Sequence, residues 1–155
     1  RLIRKISPTV LVHTGDLADN LKVGRRPEDI PAYEKHAKRL IACMEKYAKD
    51  VYIVPGNNDL PDYIEKHIKK ANIIPANTCL EIHGLSFLLC HRVLDIDGEA
   101  SYYLYGHGYT GDTHDFAENG KDGKFYSNAN HAPALLFFDT GRLIRLHNHR
   151  GGMKK

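Results

Sequence analysis

Two short apolar runs, each stopped by a glycine-bearing polar loop and separated by one amphipathic stretch, constrain this chain more than any other feature. The first, Thr9-Val10-Leu11-Val12-His13, runs into Gly15-Asp16-Leu17-Ala18-Asp19. The second, Val51-Tyr52-Ile53-Val54, runs into Pro55-Gly56-Asn57-Asn58-Asp59. β-Branched runs of this length, bounded by Gly and Pro, read as buried strands. Between Glu28 and Asp50 the residues Ile30, Tyr33, Ala37, Leu40, Ile41, Met44 and Tyr47 recur at three- and four-residue steps, which predicts a helix with one apolar face. A second helix is expected from Asp59 to about Ala71, with Pro61 in its first turn. The order β-loop-α-β-loop-α implies parallel strands joined by crossover helices.

The second half changes character. Runs at 78–82 and 85–90 flank His83-Gly84, a short hairpin signal. Tyr102-Tyr103-Leu104-Tyr105 is a further strand ending at Gly106, and runs at 135–139 and 142–146 flank Thr140-Gly141. The expected fold class is therefore α/β, a sandwich of mixed β-sheets flanked by helices. With 155 residues, no internal repeat and no low-complexity tract, residues 1–155 read as one domain.

Composition narrows the function classes. No apolar run is long enough to cross a bilayer. The net charge of +3 comes without a dense Lys/Arg stripe, which gives a nucleic-acid groove little support and favours a solvated surface. Cys43, Cys79 and Cys90 are too widely spaced for a zinc ribbon or a disulfide framework, so reduced thiols in a cytoplasm are expected.

The chemistry is concentrated in four loops, each at the end of an expected strand. They contain Asp16 with Asp19, then Asn57-Asn58-Asp59, then His91 in Cys90-His91-Arg92, then His107 in Gly106-His107-Gly108. In open α/β sheets ligands bind outside the carboxyl ends of the strands. Asp, Asn and His are the residue types that hold a water-activating divalent transition metal. Taken singly, each has a plainer reading: Asp16 and Asp19 as helix caps or turn residues, Asn57 and Asn58 as turn residues, His91 and His107 as buried histidines. Their succession favours a metal site. Arg92 reads equally as a phosphate-binding residue and as a surface arginine. His13 reads as a structural residue or, from its place in the strand before the metal loop, as a support for that loop, and the tyrosines at 102, 103 and 105 read as sheet packing.

This order resembles the calcineurin-like metallophosphoesterases from Thr9 to Leu146, in a phosphodiesterase-like branch found in bacteria and archaea. The resemblance implies that Asp16, in the Gly-Asp-x-x-Asp loop, bridges two metals, and that Asn57, His91 and His107 complete one of the two sites. Two such ions about 3.5–4 Å apart clamp the attacking and leaving oxygens of a phosphate ester. The implied cofactor is Mn²⁺ first, with Fe, Ni, Co or Zn also suited to the donor set. The implied substrate is a phosphorylated small molecule or a phosphodiester.

Three departures stand beside the resemblance. Nothing before Thr9 matches the family's opening Asp-x-His. The start at Arg1, with residues 1–8 reading as the tail of a helix leading into a strand, leads us to expect a trimmed chain; drift toward one metal, or none, is the alternative. Asn58 stands where the family has a histidine that assists the leaving group; it would position the phosphate, but cannot act as a general acid. Tyr109 takes the second histidine position of the closing loop, with His114 as a substitute ligand; a second register would instead align Gly111 to His114 with that loop, Asp112 replacing its first histidine. The expected function is metal-dependent hydrolysis of a phosphate ester. The rivals are a catalytically degenerate scaffold on the same fold and a nuclease, which would need a basic groove.

Overall fold

The computed structural model describes residues 2–18, 26–107, 124–130 and 133–146. A short helix, α1 (Leu2–Ile6), leads into β1 (Val10–His13), α2 (Ile30–Tyr47), β2 (Asp50–Ile53), α3 (Pro61–His67) and β3 (Asn72–Ile73). The strands form a parallel sheet in the order β1-β2-β3. The next four strands are β4 (Thr78–Ile82), β5 (Leu85–Leu89), β6 (Tyr102–Tyr105) and β7 (Phe125–Asn128). They form a mixed sheet in sequence order, with β4–β5 antiparallel and β5, β6 and β7 parallel. A separate antiparallel pair joins β8 (Ala134–Phe137) to β9 (Arg142–Arg145).

Strand alternation builds the layers. Leu11, Val51 and Ile53 point to the helices and meet Tyr33, Ala37, Ile41 and Met44 of α2 and Ile64 of α3. Val10, Val12 and Tyr52 point the other way and meet Phe87, Leu89, Tyr102 and Leu104 of the second sheet. The result is the expected α/β sandwich, with helices outside the first sheet and an apolar layer between the sheets. The far face of the second sheet is closed by Val93, Ile96 and Tyr126 over Leu88, Tyr103 and Tyr105.

The elements differ from expectation at ends that tertiary contacts decide. α2 starts at Ile30, because residues 27–29 form a separate 3-10 turn begun by Pro27, and its chain leaves the helix at Ala48 to enter β2. α3 stops at His67 instead of continuing to Ala71. The N–H groups of Lys69, Lys70 and Ala71 donate to one oxygen of Glu45, at 2.7, 2.8 and 3.0 Å. Strands β3 and β7 were not foreseen; β3 is two residues long and β7 four. The His83-Gly84 hairpin holds as read, with both residues at positive φ (52° and 76°), as a two-residue type I′ turn requires.

Glu45 is buried, and burial pushes its carboxyl up, but the three backbone donors and the Lys70 charge outweigh this and hold it below the usual glutamate value. A depressed carboxyl stabilises the fold above that value and loses the contribution as pH falls through it. Glu45→Ala is expected to cost about 2 kcal/mol in urea unfolding at pH 7, with the difference from wild type shrinking below about pH 4.

Candidate metal centre

Because β1 and β2 run parallel in one sheet and β5, β6 and β7 in the other, the carboxyl ends of both sets meet at one end of the sandwich. Asp16 follows β1, Asn57 follows β2, His91 follows β5 and His107 follows β6. The structure brings all four together. His91 Nε2 lies 2.9 Å from Asn57 Oδ1, 3.0 Å from His107 Nδ1 and 3.7 Å from Asp16 Oδ1. Ligand atoms of Asp16, His91 and His107 all fall within 4.8 Å of one another. The two imidazoles stand edge to face, 80° apart.

The proton inventory shows what this arrangement is suited to hold. His91 Nδ1 lies 2.7 Å from the carbonyl oxygen of Thr14, which can only accept, so Nδ1 carries the proton. In the neutral ring the Nε2 lone pair then points into the centre, where it faces an amide oxygen and a carboxylate oxygen, neither of which can donate, and the Nδ1 of His107. Lone pairs from these three residues thus share one small space, which a cation relieves. One carboxylate, one amide and two imidazoles are the donors that borderline divalent metals take. The buried His91–Thr14 contact is the type of hydrogen bond that fixes a metal-binding histidine's tautomer and ring plane.

Glycines permit the approach. A Cβ at Gly15, where φ is +94°, would lie 2.6 Å from both Gly56 N and His91 Nδ1. A Cβ at Gly56 would overlap the Asp16 carboxylate and come within 2.7 Å of His91 Cε1. Asp16 itself sits at φ +55°, a left-handed conformation that Asp and Asn tolerate better than most residues.

Asn58, expected to face a phosphate, is buried and turned toward Asp16. Its backbone N–H donates to Asp16 Oδ1 at 3.0 Å and its Nδ2 to Oδ2 at 2.8 Å. It thereby fixes the orientation of the aspartate. His13 Nδ1 accepts the N–H of Gly15 at 3.2 Å, so it supports the loop from behind. Burial pushes the His13 imidazole below the ordinary histidine value, against the opposite pull of Asp59 and Asp16, and this keeps the accepting lone pair in place. His114, Asp19, Tyr109 and Asp112 lie outside the described residues.

Sequence reasoning placed Asp59 in the second metal loop and at a helix start, and gave it no role of its own. Its Oδ2 accepts the N–H groups of Asp16 and Gly56, both at 2.8 Å, and its Oδ1 accepts the Leu17 N–H at 2.9 Å and the Tyr33 hydroxyl at 3.0 Å. One buried carboxylate therefore ties both metal loops to α2. Tyr33 is fully buried, and burial together with the Asp59 charge pushes its phenol far above the ordinary value. A tyrosine on the apolar face of a helix was the available signal, since a buried hydroxyl requires a partner.

Beside the centre, Arg92 Nε and Nη2 donate to the two carboxylate oxygens of Asp95 at 2.9 and 2.8 Å. These bonds hold Asp95 below the usual carboxylate range, and the nearby His91 and His107 add smaller pulls in the same direction. A cleft of about 610 Å³ lies elsewhere, between β1 and the β8–β9 pair, and is lined by Val10, Val12, Phe87, Leu104 and Phe138. The metal-ligating atoms are not in it.

The family model for calcineurin-like phosphoesterases matches residues 1–151. No curated protein and no solved structure matches the sequence. Two loops on one sheet and two on the other converge with the donor set such chemistry needs, and the match spans nearly the whole sequence. This chain belongs to the calcineurin-like phosphoesterase family.

Proposed function

We propose that the protein hydrolyses a phosphate ester, phosphodiester or phosphomonoester, with a divalent metal held by Asp16, Asn57, His91 and His107. The observation that supports this best is the convergence of His91 Nε2 with the oxygens of Asn57 and Asp16 and with His107 Nδ1. When bound, a divalent ion there supplies Lewis acidity toward water and positive charge for the phosphate oxygens. The chain's own residues do the rest. Asp16 offers two carboxylate oxygens, the arrangement that suits a bridge between ions, and Asn58 holds them in one plane. Thr14 keeps the His91 proton away from the centre. His114 is proposed as a ligand of a second ion, on the resemblance alone. Mn²⁺ is the ion we propose, ahead of Fe, Ni, Co and Zn. We further propose that residues 1–155 act as one domain, in the cytoplasm. No described helix is long and apolar enough to cross a membrane.

The scaffold reading has one observation in its favour. Asn58 occupies the position where the family's histidine assists the leaving group, and its backbone N–H and side-chain Nδ2 both donate to Asp16. Hydrolysis of bis-p-nitrophenyl phosphate separates the two. The expected result is turnover that requires added Mn²⁺ and stops with a chelator. An absence of turnover with every divalent metal tried would favour the scaffold.

A further inference from the structure

We infer that Arg92 grips the substrate's phosphate, with Asp95 as its positioning residue; this rests on the phosphoesterase reading above. Arg92 directly follows His91, so its backbone leaves the metal centre at the carboxyl end of β5. Among the described residues of the converging loops (14–18, 54–60, 90–95, 106–107 and 129–130) it is the one Lys or Arg. A phosphate ester is an anion, and Asp16 and Asp59 already place two carboxylates at this end of the sandwich.

The guanidinium is held in a way that leaves the useful edge open. Arginine has five N–H donors in a planar fork. Asp95 takes the Nε edge, through Nε–H and one Nη2–H. The Nη1–Nη2 edge remains, and that edge matches two oxygens of a phosphate. The Arg92 side chain is 54% exposed, so a ligand can reach it.

Asp95 is built into place as well. Its N–H donates to the Arg92 carbonyl at 3.1 Å, and its carbonyl accepts the thiol of the fully buried Cys90 at 3.8 Å. The Arg–Asp unit is thus anchored to the same strand end that carries His91. A role in stability alone explains little, because an exposed ion pair three residues apart contributes under about 1 kcal/mol. Fixing the guanidinium before substrate arrives lowers the entropy lost on binding.

The test uses the full chain loaded with Mn²⁺ and the variants Arg92→Met, Arg92→Lys and Asp95→Asn. Hydrolysis of bis-p-nitrophenyl phosphate gives KM and kcat. Titration with inorganic phosphate, followed by calorimetry, gives anion affinity without turnover, and the free Mn²⁺ signal in electron paramagnetic resonance gives metal affinity. Arg92→Met is expected to raise KM and weaken phosphate binding about 10-fold or more, with Mn²⁺ affinity unchanged. Arg92→Lys should recover part of the loss, and Asp95→Asn should fall between. Unchanged KM and phosphate affinity in Arg92→Met overturn the inference, as does a parallel loss of Mn²⁺ affinity, which would mark a structural role. If the wild type does not hydrolyse the ester yet binds phosphate through Arg92, the hydrolase reading falls and this one stands. Hydrolysis that ignores Arg92 sinks this one alone, and a wild type that binds no phosphate also overturns it.

Discussion

Asp16→Asn is expected to abolish Mn²⁺-dependent hydrolysis, with a loss of at least about 10³-fold in kcat/KM, while the protein stays folded. Asparagine keeps the volume and tolerates the left-handed backbone at φ +55°, so the change leaves size and backbone in place. What disappears is the only carboxylate among the four convergent ligands. Its second oxygen becomes an NH₂ that must face either the Asn58 N–H or the Asn58 Nδ2, both of which are donors. The loop loses its orienting contacts together with its charge. A thermal-shift series reads the metal part without substrate. At Mn²⁺ about 100-fold above Kd, binding adds about 2.7 kcal/mol to the folded state, or about 5–10 °C in Tm for a domain of this size. The variant should show almost none of that shift. A variant that keeps both the shift and the activity would mean that the ion binds elsewhere.

Asp59→Ala is expected to lower the unfolding free energy by about 3–5 kcal/mol in the metal-free protein, measured in urea. The carboxylate receives four donors: the N–H groups of Asp16, Leu17 and Gly56, and the Tyr33 hydroxyl. Removing it strands them in a site where water has little access. Against a typical stability of about 5–15 kcal/mol, that is a large share, and Asp59→Asn provides the milder comparison. The amide cannot satisfy the same set in either orientation. If NH₂ replaces Oδ2, it opposes the N–H groups of Asp16 and Gly56; if it replaces Oδ1, it opposes that of Leu17. Asn should therefore also destabilise, by about half as much. A cost below about 1 kcal/mol for Asp59→Ala would show that the loops are held by packing alone.

These two residues differ in how visible they were beforehand. Asp16 could be read from the sequence because a β-branched run stops at a glycine just ahead of it, and the same syntax marks Asn57 and His107. His91 was legible as the end of an apolar strand paired through a recognisable turn. Asp59 was hidden because nothing local distinguishes an anchor from a helix-start aspartate; its partners lie 42 and 43 residues earlier, on Leu17 and Asp16, and 26 earlier on Tyr33. Asn58 was placed in the correct loop, but its direction depends on the Asp16 carboxylate across that gap. The same logic governs the elements. Helix α2 was visible in its periodicity, whereas the end of α3 was not, because Glu45 captures three N–H groups that the sequence alone assigns to a longer helix. Patterns of period two and three and a half survive in a linear reading; hydrogen bonds across dozens of residues do not.

The hydrogen bond from His91 to the Thr14 carbonyl joins residues 77 positions apart, in loops that leave different sheets. Such a contact closes only after both halves of the sandwich have formed and docked, so the ligand set is completed late on the folding path. A transition state that has yet to bring the sheets together has little to offer an ion. Mn²⁺ should accordingly leave the refolding rate nearly untouched and act on the reverse process, slowing unfolding in proportion to its occupancy. The ion would then serve as a latch on a finished structure, not as a template for building it.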